Sequence, residues 1–330
     1  MTIKLKKLNV KSNDSIKQKF NSTLKAIYLA STQGFCAGVA SAIEVVERAL
    51  LKYGEPLYVR HHIVHNTTVI KSLESKGVVF IESLDEVPEN QVVIFSAHGT
   101  SPIEYDNAKL RGLKIIDATC PLVTKIHRQA VRFSEKGVQT VLIGHHGHQE
   151  LIGTSGYVDS RLLHVIETED DVDQLSLDPE LPIGYLTQTT LSVSDTAGII
   201  NKLRQRYPAI QGASKADICF ATTNRQNAVH ELVEICDLII VCDSPHSSNS
   251  NRLRETAIDA GVDSYIIDIA AELELSWFDH KCKVGITSGA SVPQSVVDNT
   301  VDWIQSHFGP LPVHQGENIE STIKFPIPNI

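Results

Sequence analysis

The sequence predicts an α/β protein built mainly on parallel sheets. Two observations carry this. Short β-branched runs alternate along the chain with amphipathic stretches of helical period, and the clearest helical stretches close on a glycine, the residue that ends helices most easily. The first run is AIYLA (26–30), followed by a helical pattern over 38–53 that closes at Gly54. LYVR (57–60), VVIFS (92–96) and LKIIDAT (113–119) come next, and a second helical pattern, 121–136, closes at Gly137. TVLIG (140–144), IGYLTQT (183–189), LIIVCDS (238–244), YIIDI (265–269) and VGITS (284–288) complete the series of runs. In such folds ligands bind at the carboxyl ends of strands, in the loops that lead to helices.

Bulk properties narrow the function. A chain of 330 residues is long enough for two or three compact units. Its 42% hydrophobic and 21% charged content is that of an ordinary globular protein. No apolar run approaches the ~20 residues that span a bilayer, so no membrane partner is expected. The net charge of −9 argues against nucleic acid, because affinity for phosphate backbones needs an excess of Lys and Arg. Residues 1–24 are polar and lysine-rich without an apolar signal core, and are expected to form a disordered extension. An organelle transit peptide is the second reading, disfavoured by Lys in place of Arg. Six cysteines without a secretory signal point to a reducing compartment, the cytoplasm, and to metal or catalytic roles for some thiols.

Three of those thiols stand in matching contexts: Cys36 in GFCAGV, Cys120 in DATCPLVTKIH and Cys219 in DICFATTNRQ. Each is expected to follow an apolar run and precede a helix, and Pro121 suits a first helical position, which makes Cys120 a cap. A single such Cys is more often a small buried hydrophobe. Three at equivalent places, one small α/β unit apart, reverse that preference and can meet at one centre. Thiolates select zinc, copper(I) or iron–sulfur clusters, and three without a fourth leave a position open for chemistry. No CxxC occurs, so a zinc ribbon or thioredoxin motif is absent. Cys236, Cys242 and Cys282 read as structural.

Other strand-to-helix loops carry hydroxyl, amide and imidazole groups. His65 lies in RHHIVHNTT, His98 in FSAHGTSP, and His148 with Glu150 in GHHGHQE; TQTT spans 187–190, PHSSNSNR holds Ser247, Ser248, Asn249 and Ser250, and SGAS spans 288–291. One Ser or Asn suffices for capping. Several in succession exceed that need and suit an anion, which helix N-termini favour through free N–H groups and the dipole. Glu150 is placed to deliver protons if burial holds its pKa up. The H-x-E pattern lacks the P-C-x-x-C partner of zinc deaminases. With neither a Walker A loop nor GxGxxG present, the phosphate belongs to a substrate.

The ordered set GFCAGV, HNTTV, FSAHGTSP, DATCPLVTKIH, GHHGHQE, TQTTLSV, DICFATTNRQ, SSNSNR and TSGAS resembles the LytB family of 4-hydroxy-3-methylbut-2-enyl diphosphate reductases, over about residues 26–325. The resemblance implies three similar α/β modules arranged pseudo-threefold around one 4Fe–4S cluster per chain, held by Cys36, Cys120 and Cys219 with one iron open. The modules would be 25–120, 121–217 and 218–308, with a tail, 309–330, packing on the body. It further implies Glu150 as proton donor assisted by Thr189 and His148. A diphosphate would lie among His65, His98, Ser247, Ser248, Asn249 and Ser291, near His148, Thr189 and Thr190. The electron donor would be of ferredoxin or flavodoxin type, and the pathway that of methylerythritol phosphate. ASTQGFC departs from relatives that carry Pro-Arg before the glycine. Two readings from other classes compete: a zinc hydrolase with Glu150 activating water, and a redox or iron sensor that binds an anion without turnover.

Overall fold

The computed structural model describes residues 23–330 except 65, 213–216, 319, 321 and 329. The expected disordered extension falls almost wholly on residues 1–22, outside the described residues.

The chain opens with β1 (Ala26–Leu29), α1 (Ala37–Tyr53), β2 (Leu57–Arg60), α2 (Thr67–Glu74), β3 (Val78–Ile81), β4 (Val92–Phe95), α3 (Pro102–Leu110) and β5 (Lys114–Asp117). Next come α4 (Pro121–Glu135), β6 (Gln139–Ile143), α5 (Gln149–Ser155), β7 (Leu163–Ile166), α6 (Glu169–Gln174), β8 (Ile183–Thr187) and α7 (Val193–Arg206). It closes with α8 (Phe220–Val233), β9 (Leu238–Cys242), α9 (Ser248–Asp259), β10 (Asp263–Ile267), β11 (Lys283–Ser288), α10 (Gln294–Phe308) and β12 (Val313–Gln315). The strands form three sheets, ordered β3-β2-β4-β5, β7-β6-β8 and β10-β9-β11-β1-β12, and among the described residues every strand pairing is parallel. The α/β fold class with mainly parallel sheets is therefore the one the alternation of runs predicts.

Every run named from the sequence forms a strand, whereas β3, β7 and β12 were not among them. All three are edge strands. An edge strand packs less of its surface, so its residues need no unbroken apolar run. β7 carries His164, and all three residues of β12 are exposed. This reason does not cover β3, which reads VVFI and is an unbroken apolar run that the sequence reading passed over.

Sheet membership does not follow the expected linear cuts. β1, in the stretch expected to be the first module, lies between β11 and β12 in the C-terminal sheet, where Ile27 is fully buried. A strand apolar on both faces is buried only with neighbours on either side and helices above and below; β11 and β12 provide the former. The tail adds β12 to that sheet.

The helices explain how the thiols come together. α1 leaves β1 but buries Ala42, Val45, Val46 and Ala49 in the core over the four-stranded sheet. α4 leaves β5 of that sheet and buries Ile126, Ala130 and Phe133 against the three-stranded one. α7 packs on the three-stranded sheet, and α8 after it packs Ala228, Val229 and Leu232 on the five-stranded one. Each of the three helices thus begins where the chain crosses between sheets, and each begins at a cysteine. Cys219 differs from expectation in one respect: the residue pairing before it is an isolated bridge, Gly184 with Gln211, and not a named strand.

Candidate functional site

Cys36, Cys120 and Cys219 are the N-caps of α1, α4 and α8. Cys36 Sγ accepts the Val39 N–H (3.4 Å), and Cys219 Sγ accepts the Thr222 N–H (3.3 Å) beside Thr222 Oγ1 at 3.1 Å. Cys120 makes no side-chain cap bond, and Pro121 follows as the first helical residue. All three line one cavity of about 770 Å³, its open mouth included. Gly38 keeps the space beside them clear: a Cβ there would lie 2.8 Å from Cys120 Sγ and 3.8 Å from Cys36 Sγ. Burial pushes the Cys120 thiol up to about 12 and the Cys219 thiol up to about 11. Thiols so placed stay protonated unless a metal's positive charge takes the proton's place.

Behind the thiols, Arg225 is fully buried and donates to Gly34 O (2.7 Å), Ala221 O (3.0 Å) and Glu320 Oε2 (3.0 Å). Asn224 Nδ2 donates to the other Glu320 oxygen (3.0 Å). One guanidinium thereby ties the Cys36 loop and the Cys219 helix to the C-terminal tail. Removing one partner of such a buried pair costs about 3–5 kcal/mol.

On the facing wall stands Glu150, 3% exposed. Thr189 N–H donates to its Oε1 (2.7 Å) and Thr189 Oγ–H to its Oε2 (2.8 Å). Burial raises the carboxyl to about 7, against the two Thr189 bonds that pull it down. His148 caps α5 and accepts the Glu150 N–H at Nδ1 (3.2 Å), which leaves the neutral ring's hydrogen on Nε2. The His98 ring meets the His148 ring edge-on at 6.0 Å. The loop carrying His98 turns at Gly99 (φ +86°), where a Cβ would come within 2.5 Å of the buried His127 ring.

The third wall is the start of α9 and the loop after β11. Ser247 caps α9, accepting the Ser250 N–H (3.4 Å). Among the described residues, Ser248 Oγ and both amide atoms of Asn249 are buried without a hydrogen-bond partner. An unpaired buried polar group costs about 1–3 kcal/mol; three of them on a cavity wall are groups that await a ligand. Ser291 donates to Asp243 Oδ2 (3.1 Å).

Of the residues singled out in the sequence, Cys36, Cys120, Cys219, His98, His148, Glu150, Thr189, Thr190, Ser247, Ser248, Asn249 and Ser291 all border this cavity. His65 lies outside the described residues. Cys236 and Cys242 are buried in cores of the five-stranded sheet, and neither they nor Cys282 border it. Sequence reasoning missed Asp243, Arg225, Glu320 and the spacing role of Gly38. Asp243 had a signal, since it ends a strand in VCDSP; Arg225 had none, its partners being 191 and 95 residues distant.

Among the described residues no three His, Cys, Asp or Glu side chains converge closely enough to hold a single ion. Ligands of an iron–sulfur cluster bind different irons and stand further apart; three capping thiols around a cleared space fit that requirement.

Residues 27–305 match the family model described as LytB protein. A 4-hydroxy-3-methylbut-2-enyl diphosphate reductase of Histophilus somni is 49% identical over 304 residues, covering 92% of this chain and 96% of its own. One from Pseudomonas aeruginosa is 48% identical over 305 residues, 92% of this chain and 97% of its own. The solved E-1-hydroxy-2-methyl-but-2-enyl-4-diphosphate reductase of Plasmodium falciparum superposes with a TM-score of 0.89 at 37% identity, covering 92% of this chain and 96% of that one. A second solved structure, of the terminal enzyme of the non-mevalonate pathway, gives 0.62 at 30% identity over 85% of this chain and 99% of that one.

Proposed function

The chain belongs to the LytB family, and from that premise we propose how its cavity carries out the family's reaction. The activity is that of a 4-hydroxy-3-methylbut-2-enyl diphosphate reductase, the iron–sulfur oxidoreductase that ends the non-mevalonate isoprenoid route. The reaction breaks the allylic C–O bond, releases the oxygen as water and forms one C–H bond, consuming two electrons and two protons. Its products are isopentenyl and dimethylallyl diphosphate.

In our reading Cys36, Cys120 and Cys219 hold a 4Fe–4S cluster, one per chain, in the space that Gly38 clears. When bound, the cluster supplies the electrons and an open iron for the substrate's hydroxyl oxygen. The diphosphate lies against Ser247, Ser248, Asn249 and Ser291, with the N–H groups of the 12-residue helix α9 favouring its charge. His98 and Thr190 border it, and His65 belongs to the same set by resemblance. Asn249 and Ser248 carry most of this assignment, because the Ser248 hydroxyl and the Asn249 amide have no partner among the described residues. Glu150 supplies the proton to the departing oxygen. A carboxyl held near 7 carries a proton at neutral pH and still releases it readily. Thr189 fixes both carboxyl oxygens, and His148 accepts the Glu150 N–H at the start of the same helix.

Electrons come from a small redox protein of ferredoxin or flavodoxin type. No helix among the described residues is long and apolar enough to cross a membrane. All six cysteines are free, as a reducing cytoplasm requires.

The observation that carries the reading is the meeting of three helix-capping thiols and a buried, proton-bearing carboxyl on one cavity. Anaerobic purification, iron and acid-labile sulfide analysis and electron paramagnetic resonance test it. Changing Cys36, Cys120 or Cys219 to Ser is expected to abolish cluster retention, while Cys236, Cys242 or Cys282 to Ser leaves it. A protein that retains zinc alone and turns nothing over in a reduced-dye assay overturns it.

A further inference from the structure

Behind the diphosphate wall lies a second buried carboxylate that the reaction as set out does not use. Asp243, just past the end of β9, is fully buried. Donors alone hold it: Ser244 N–H to Oδ1 (2.8 Å), Ser250 Oγ to Oδ2 (2.6 Å) and Ser291 Oγ to Oδ2 (3.1 Å). No ion pair to it exists among the described residues; the nearby arginines of α9 turn elsewhere, Arg252 to Asp195 and Glu255, Arg254 to Ser264 O. Gly289 makes room for the arrangement, since a Cβ there would fall 2.0 Å from Asp243 Oδ2 and 2.2 Å from Ser250 Oγ. Ser291 borders the cavity, as does Ser247, whose hydroxyl also bears on Asp243, while Ser244 and Ser250 do not.

A serine hydroxyl has one hydrogen to give. While Asp243 is ionised, that hydrogen points to Oδ2 and Ser291 shows lone pairs to the cavity. An entering anion then meets those lone pairs, backed by a buried negative charge in a medium that screens it poorly. Once Asp243 is protonated, its O–H donates to Ser291 Oγ, and the serine's own hydrogen turns towards the cavity.

We propose that Asp243 is a positioning residue that couples diphosphate binding to the uptake of a proton, with Ser291 as the relay. The proton comes from solvent, and the one covalent change is the O–H bond formed on Asp243. This rests on the reading of Ser291 as a diphosphate contact. Burial already pushes the Asp243 carboxyl above the usual carboxylate range, and a neighbouring anion pushes the same way. Linkage is reciprocal: protonation strengthens anion binding, so affinity falls as pH rises and protonating Asp243 becomes costlier.

Other titratable groups surround this corner. Cys242 precedes Asp243 on its strand, His246 lies in the loop to α9, and Asp268 follows Ile267, whose carbonyl accepts the Asp243 N–H. The loop after β11 presents only hydroxyls, while Glu150, His98, His148 and the three thiols share the cavity. Glu150 also takes up protons beside an anion, so the test must separate the two carboxyls.

Inorganic pyrophosphate is titrated calorimetrically into the anaerobically prepared holoenzyme in buffers of different ionisation heat, which counts protons taken up. Wild type is compared with Asp243→Asn, Ser291→Ala and Glu150→Gln, each ligand titration being common to all. Wild type and Glu150→Gln are expected to take up more protons than the same background carrying Asp243→Asn, by at most about half a proton per site. The asparagine amide donates as the protonated acid does. Asp243→Asn therefore binds pyrophosphate about tenfold tighter than wild type at alkaline pH, and the two converge as pH falls, tenfold being one unit of linked pKa. Ser291→Ala weakens binding and reduces the extra uptake. Equal uptake in wild type and Asp243→Asn, with Ser291→Ala still weakening binding, overturns the coupling while leaving the diphosphate site in place. If Asp243→Asn does not fold, equal uptake in wild type and Ser291→Ala overturns it. Should neither Ser291→Ala nor Ser248→Ala alter pyrophosphate affinity, the diphosphate wall itself is wrong, and the coupling falls with it.

Discussion

Two corners of the cavity are built from the same parts. Glu150 and Asp243 are both buried carboxyls without an ion-pair partner among the described residues, each held by a backbone N–H and serine or threonine hydroxyls. Their placement differs by one layer: Glu150 borders the cavity, whereas Asp243 stands behind Ser291. Burial raises both pKa values, but only Glu150 borders the space in which a proton could be handed to a ligand. Asp243 can act only through a hydroxyl. Position relative to the ligand, and not the carboxyl's own chemistry, divides proton donor from positioning group.

The strongest way to break that contrast is Glu150→Gln. Turnover with a reduced dye is expected to fall by about 10²–10⁴-fold, the range of a lost general acid. Pyrophosphate affinity should stay within about threefold of wild type, since the amide keeps the shape and Thr189 keeps a partner. Unchanged turnover removes Glu150 as the donor.

The wild-type rate sharpens the comparison through pH. The donating form is the acid, so turnover should decline as pH rises through about 7, the value to which burial brings the carboxyl. Thr189→Val deletes the hydroxyl bond that pulls this pKa down. The alkaline limb is therefore expected to move to higher pH, with turnover about fivefold lower, since a neutral hydrogen bond is worth about 1 kcal/mol. A limb that moves to lower pH contradicts the assignment.

Gly289→Ala tests the other corner. The added methyl collides with Asp243 and Ser250, and overpacking of this kind costs about 1–3 kcal/mol of stability, measurable by urea unfolding. Substrate KM should rise more than kcat falls, because the wall and not the proton donor is disturbed. Cys282→Ser, outside both corners, is expected to leave iron content and turnover unchanged and to shift stability by no more than about 0.5 kcal/mol.

Much of this site was legible before the fold. Cys36, Cys120 and Cys219 announce themselves because capping is local: flanking glycines, Pro121 and the first apolar turn of each helix act within a few residues. The hydroxyl loops are legible for the same reason, and twelve of the thirteen residues chosen from sequence border the cavity, His65 lying outside the described residues. Glu150 was found from its loop, yet its proton affinity depends on Thr189, 39 residues away. The runs 26–30, 57–60 and 238–244 mark strands but carry no label for their sheet. Asp243 passed unnoticed inside the last of them.

By itself, then, the sequence determined the alternation of strands and helices, the capping thiols, the polar loops and the family they resemble. All of these rest on interactions between near neighbours. Only the tertiary structure decided that β1 joins β11 and β12, that each thiol stands where the chain crosses between sheets, and that Arg225 clamps the tail to the Cys36 loop. It also decided that Asp243 meets Ser291 across 48 residues. Such contacts depend on which surfaces the folded chain brings face to face, and no short pattern of residues encodes that.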